Sequence, residues 1–186
     1  MEKESIGRLV ITLTVIGIIS ALTLAFVYQW TTPYIKEHQA AAQEKAVFNV
    51  LTDAEKFEEV SKNGHVFYEG YNNAGSRVGI AYIAAGSGFQ GQIELMIGVN
   101  LNEEKIYGIS ILTHSETPGL GARITEDGYK SNFVDKPFGD YTVIKRETTD
   151  PTEVEAISGA TISSEKVTTI VENAVSIIQS AYGGGM

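Results

Sequence analysis

Three short stretches of this sequence combine residues able to hold or bond a ligand. The first, Gly86-Ser-Gly-Phe-Gln-Gly91, matches G-x-G-x-x-G. In a dinucleotide site that spacing opens a helix whose N-terminus receives the pyrophosphate. Here an alternating apolar segment follows, so the stretch reads as a loop between strands whose glycines admit close backbone approach to a ligand. The second stretch runs from His114 through Ser-Glu-Thr-Pro-Gly-Leu to Gly121. Pro118-Gly119 provides the fixed negative φ followed by positive φ of a type II turn. A strand ending in that turn projects Glu116, Thr117 and Leu120 from a fixed backbone, which suits ligand positioning; a solvated hairpin turn is the plain alternative. His114 carries no metal-ligand pattern, because His38 and His65 are remote and neither cysteine nor H-E-x-x-H accompanies them. The third stretch is Ser158-Gly-Ala-Thr161. A hydroxyl there, beside a helix N-terminus, sits where backbone N–H groups and the helix dipole favour a phosphate. Gly159 and Ala160 leave room for a bulky group beside it, while simple helix capping is the competing reading.

The elements that must position these stretches are legible to different degrees. Val167, Ile170, Val171, Ala174, Ile178 and Ala181 follow i, i+3, i+4, i+7 spacing, which predicts an amphipathic C-terminal helix of about four turns. Ser163 or Ser164 is expected to cap its start, with Glu165 in its first turn and the triple glycine before Met186 ending it. Strand-like segments cover His65–Tyr68, Val78–Ala84, Gln92–Leu101 and Ile106–Thr113; Ile93, Leu95, Ile97 and Val99 alternate as in a half-buried strand. Strands in sequence flanked by helices predict an α+β domain with short antiparallel strands. No repeat or low-complexity segment interrupts it.

Leu9 to Trp30 is a run of 22 residues without a charge. As a helix it would be roughly 33 Å long, enough to cross a bilayer. A cleaved signal peptide is the alternative, but the run is long for one, no small-residue cleavage site follows, and Tyr28 and Trp30 stand where interfacial aromatics anchor a retained helix. Pro33 is expected to end or kink this helix, and Tyr34–Leu51 reads as a juxtamembrane helix. Lys3, Arg8 and the free amine before the span, set against Lys36 and Lys45 after it, together with a short N-terminal tail, point to a cytoplasmic N-terminus and an extracytoplasmic domain. The first 30 residues hold two basic and two acidic side chains, so the whole net charge of −9 falls beyond them. Such a surface repels nucleic acid. Without cysteine the chain itself forms no disulfide, thiolate zinc site or iron–sulfur centre, so any redox chemistry needs an organic cofactor or partner subunits.

Taken together, the N-terminal span, His114-Ser-Glu-Thr-Pro-Gly-Leu-Gly121, Ser158-Gly-Ala-Thr161 and the final helix closely resemble the FMN-binding family. That family includes the G subunit of Rnf ion-translocating complexes and the C subunit of sodium-pumping NADH:quinone reductases. The resemblance covers nearly the whole chain and lies nearer the Rnf G subunit, since long insertions are lacking. It implies FMN joined to Thr161 through a phosphoester by a separate flavin transferase, with Ser158, Gly159 and Ala160 around the attachment point. Where the family pattern usually has Asp three residues before that serine, this chain has Glu155. Glu116, Thr117, Gly119 and Leu120 become candidate flavin contacts. The implied organisation is a cytoplasmic tail (1–8), a transmembrane helix (9–30), a juxtamembrane helix or linker (31–51) and an FMN-binding domain (52–186). The implied role is electron relay between reduced ferredoxin and NAD in a membrane complex with other subunits, with no catalytic or metal-binding residue in this chain. A reductase C subunit, a free-standing extracytoplasmic flavin reductase and a non-redox anchored sensor are the alternatives.

Overall fold

The computed structural model describes residues 2–183. The described residues divide into two compact units between Ala42 and Gln43. Helix α1 is Glu2–Val50. Pro33 lies inside it and does not end it. A proline removes one N–H and so frees the carbonyl four residues back. In the turn before it, the hydroxyls of Thr31 and Thr32 donate to the carbonyls of Val27 and Tyr28 at 2.8 and 2.6 Å.

The larger unit is built on a six-stranded antiparallel sheet in strand order β1 to β6: Lys56–Lys62, His65–Tyr71, Arg77–Ser87, Gln92–Asn100, Lys105–His114 and Lys136–Pro137. The β1–β2 turn is Asn63-Gly64 with φ of 51° and 80°, the two-residue hairpin whose twist matches that of the strands. Strand β1 gives no signal in the sequence: its seven residues, KFEEVSK, are mostly exposed and carry little apolar alternation. The four expected strands are present, three with wider bounds and β4 ending one residue earlier, at Asn100. Two-stranded parallel pairing joins β7, Thr142–Ile144, to β8, Glu153–Glu155. Helix α2, Asp127–Lys130, lies between two 3-10 turns.

Helix α3, Thr161–Tyr182, covers one face of the sheet. Its Val167, Ile170, Val171, Ala174 and Ile178 are buried against Ile93, Leu95, Ile97 and Val99 of β4 and their neighbours. The helix begins earlier than its apolar period suggests, and this corrects the expected cap. Ala160 is the N-cap and has no side chain with which to cap. Ser163 and Ser164 lie inside the first turn, and Glu165 falls just beyond it. At the other end Gly183 N–H closes onto Gln179 O at 2.6 Å; the following two glycines lie outside the described residues.

The opposite sheet face is also covered, which makes β4 more than half-buried. Ala46, Val47, Val50, Leu51 and Ala54, at and just after the end of α1, pack on Ala81 and Met96. Glycines permit this approach. A Cβ on Gly70 would come within 2.8 Å of Leu51 Cδ1, and one on Gly98 would overlap the Val50 carbonyl.

Candidate functional site

All but one of the candidate contacts singled out in the two hydroxyl- and carboxylate-bearing stretches meet at one cleft. Its volume is about 720 Å³, within the range of small-molecule and cofactor sites. Glu116, Thr117 and Leu120 line it from the turn after β5, and Ser158, Gly159, Ala160 and Thr161 line it from the start of α3. Gly119 does not line it. It is exposed at φ 75°, in the β-turn closed by Leu120 N–H to Thr117 O at 3.2 Å, and shapes the wall without facing the cavity. Gly159, at φ 80°, turns the chain into α3; a Cβ there would press Leu120 Cδ2 at 3.2 Å.

The start of α3 has the chemistry of an anion site. The N–H groups of Thr161, Ile162 and Ser163 precede the first helical bond, Ser164 N–H to Ala160 O at 3.0 Å, and no side chain caps them. Four hydroxyls lie nearby, and the fold distinguishes them. Ser163 donates to Glu116 Oε2, and Ser164 donates to Ala160 O at 3.1 Å while accepting from Ile157 N–H at 3.0 Å. Thr161 is half-buried in the cleft wall, and among the described residues its hydroxyl has no protein partner. Ser158 is exposed on the preceding loop.

Glu116 is only 4% exposed. Its Oε1 accepts the backbone N–H groups of Phe89 and Gln90 at 2.8 and 3.1 Å, and its Oε2 accepts from Ser163. Burial pushes the carboxyl up, but the bonds from Ser163, Gln90 and Phe89 and the field of His114 outweigh it and hold it below the usual carboxylate range. The G-x-G-x-x-G stretch is therefore a strand-to-strand loop, closed by Gly88 N–H to Gly91 O at 2.6 Å, wrapped on a protein carboxylate.

Sequence reasoning missed several lining residues. Phe89, Leu120 and Ile162 are apolar yet 61%, 47% and 48% exposed around the cleft. Of these, sequence reasoning picks out Leu120 alone. Arg123, Tyr129, Asn132 and Lys145 come from the segment between the two motifs, where two- to five-residue elements leave no periodic signal. Arg123 is paired with Glu126 at 3.2 Å, whereas Lys145 is exposed and makes no ion pair among the described residues.

Comparison with known proteins finds both family matches and relatives of similar length. Residues 88–176 match the FMN-binding domain family and residues 1–50 match the RnfG N-terminal region. The chain is 34% identical to the G subunit of the ion-translocating oxidoreductase complex of Methanosarcina acetivorans, covering 98% of this chain and 99% of that protein. It is 32% identical to the G subunit of the proton-translocating ferredoxin:NAD(+) oxidoreductase complex of Clostridium ljungdahlii, covering 98% and 97% respectively. In fold it is similar to the crystal structure of Shewanella oneidensis NqrC, with a TM-score of 0.54 at 21% identity over 67% of each chain.

Proposed function

Since the chain belongs to the G-subunit family of ion-translocating oxidoreductase complexes, we propose that it is the membrane-anchored flavoprotein subunit of a ferredoxin:NAD-type complex, with FMN esterified to Thr161. One observation carries the attachment site. Of the hydroxyls at the start of α3, Thr161 alone combines a place in the cleft wall, uncapped N–H groups beside it and no protein partner among the described residues.

The residues present fit a flavin phosphate. The N–H groups of the first turn and the dipole of a 22-residue helix favour the phosphate charge. Phe89, Leu120 and Ile162 offer apolar surface to a planar ring and shed water from it. Thr117 and the Ser158–Ala160 backbone flank the attachment point. Esterification by a flavin transferase would form one P–O bond to Thr161 Oγ1, expel the leaving group of an activated flavin phosphate and release the hydroxyl proton. When bound, the flavin supplies one- and two-electron chemistry, and the protein supplies location and electrostatics. The chain's residues then act as holder, and ion transport falls to polytopic partner subunits. The apolar part of α1 would anchor the protein in the membrane.

Intact mass of the chain co-expressed with a flavin transferase tests this reading. The expected increment is one esterified FMN, mapped by peptide analysis to Thr161. Thr161→Ala should abolish flavin fluorescence that survives denaturation, and Ser158→Ala should keep it. Covalent flavin persisting in Thr161→Ala would refute the assignment.

A further inference from the structure

We propose that Glu116 is a positioning residue that clamps two walls of the cleft together, holding the loop around Phe89 on one side and the first turn of α3 on the other. The ligand arm of this proposal rests on the flavin reading above. Glu116 is separated by 27 residues from Phe89 and by 47 from Ser163, yet its carboxylate accepts hydrogen bonds from both. Two consecutive backbone N–H groups, of Phe89 and Gln90, converge on Oε1, which fixes the loop backbone at the base of the exposed phenyl ring. Ser163 fixes Oε2 to the turn that presents Thr161.

The surroundings are cut to this carboxylate. A Cβ on Gly121 would lie 2.6 Å from Oε2 and 2.7 Å from Ser163 Oγ, and one on Gly88 would overlap Oε1. A Cβ on Gly91 would meet Ser115 Cβ at 2.7 Å, so the return of the loop is also held against the Glu116 segment. No lysine or arginine pairs with Glu116 among the described residues. A buried carboxylate without a cation is a costly way to stabilise a fold, since an apolar contact would join the same walls without desolvating a charge. It does supply three directed, charge-assisted bonds that set geometry on both sides at once. With 4% exposure and both oxygens engaged, the side chain is poorly placed to touch a ligand itself. It acts through Phe89 and through the Thr161 turn, and it also takes the Ser163 hydroxyl out of competition with Thr161.

The test uses the full chain in detergent, with and without the flavin. Glu116→Gln keeps an oxygen for the two N–H groups and an amide for Ser163, whereas Glu116→Ala removes the clamp; Ser163→Ala cuts one wall only and guards against a failure of the alanine variant to fold. In the flavin-free Thr161→Ala background, Glu116→Ala should speed amide exchange at Phe89 and Gln90 by about tenfold or more, the scale of losing a charge-assisted bond, and Glu116→Gln by much less. In the flavin-loaded chain, Glu116→Ala and Ser163→Ala should alter the visible circular dichroism and reduction potential of the flavin, with Glu116→Gln largely restoring the dichroism. Unchanged exchange at Phe89 and Gln90 in the alanine variant would overturn the clamp. Faster exchange with an unaltered flavin spectrum and potential would overturn the positioning role and leave a structural one. Absence of flavin from the unsubstituted chain, with the exchange response present, would overturn the flavin reading and leave the clamp standing.

Discussion

Glu116 and the glycines packed on it make the site depend on single atoms. Because its folded pKa is depressed, the carboxylate stabilises the fold above the unfolded value of about 4.3, and that contribution is lost as pH falls through the lower folded value. Urea unfolding at a series of pH values should therefore show a shallower acid decline below about pH 4.3 in Glu116→Gln than in the parent chain. Parallel acid arms in the two proteins would show that Glu116 is not ionised through the bonds described. Gly88→Ala should destabilise by about 1–3 kcal/mol at neutral pH, the usual cost of forcing a methyl group into filled space. The methyl group would overlap Glu116 Oε1 and also lie 2.9 Å from the Gly91 carbonyl, so neither a side-chain swing nor a loop shift is free. Neutrality of that substitution would mean that the loop is looser than its hydrogen bonds imply.

At the scale of elements, legibility follows the length over which a pattern can repeat. Strand β4 is readable because Ile93, Leu95, Ile97 and Val99 alternate, and all four are fully buried. Its second buried face is not readable, since Met96 and Gly98 look like ordinary outward positions until Val50 and Leu51 arrive from far upstream. The turn at Pro118-Gly119 is readable because its chemistry is local, whereas the start of α3 is misplaced because Ser163 and Ser164 resemble caps when seen without Glu116 and Ile157. The two motifs of the cleft are visible separately, but nothing in one dimension joins Phe89 to Glu116. Two substitutions test the elements themselves. Gly98→Ala should cost about 1–3 kcal/mol by forcing the end of α1 off the sheet, because the obstructing atom is the Val50 backbone carbonyl. Wild-type thermal stability in that variant would refute the packing. Gly119→Val has no atom within 4 Å to meet, so its cost of about 1–3 kcal/mol would come from backbone strain at φ 75°. Since Thr117 and Leu120 flank the turn and line the cleft, the flavin spectrum or potential should shift with it. Lower stability with an unshifted flavin would make the turn a fold element only.

The whole molecule divides into a part that water suits and a part that it does not. Helix α1 contains an 18-residue window of mean hydropathy 2.5, none of it buried within the protein. Leu9, Ile16, Ile19, Leu22, Leu24 and Phe26 are all more than half exposed. Left in water, that surface would associate without specificity, so it needs lipid or partner helices around it. Three of its threonines suit lipid, because Thr12, Thr14 and Thr23 donate to the carbonyls four residues back at 2.8, 2.8 and 2.9 Å. Tyr28 and Trp30, exposed at the end of the run, fit the headgroup region. A flavin fixed to Thr161 on such an anchor would stay with its complex, whereas a freely dissociating cofactor outside the cytoplasm would be lost to dilution. With Lys3 and Arg8 on a short tail ahead of the span, the expected outcome is a retained span with the cleft outside the cytoplasm. The native chain should resist alkaline extraction from membranes and keep its N-terminus upstream of Leu9. A C-terminal reporter that works only after export should be active, and one that works only in the cytoplasm should be silent. A mature N-terminus beyond Trp30 would make the segment a cleaved signal instead. The reverse reporter pattern would place the cleft on the cytoplasmic side, within reach of soluble ferredoxin, and require a different route for its electrons.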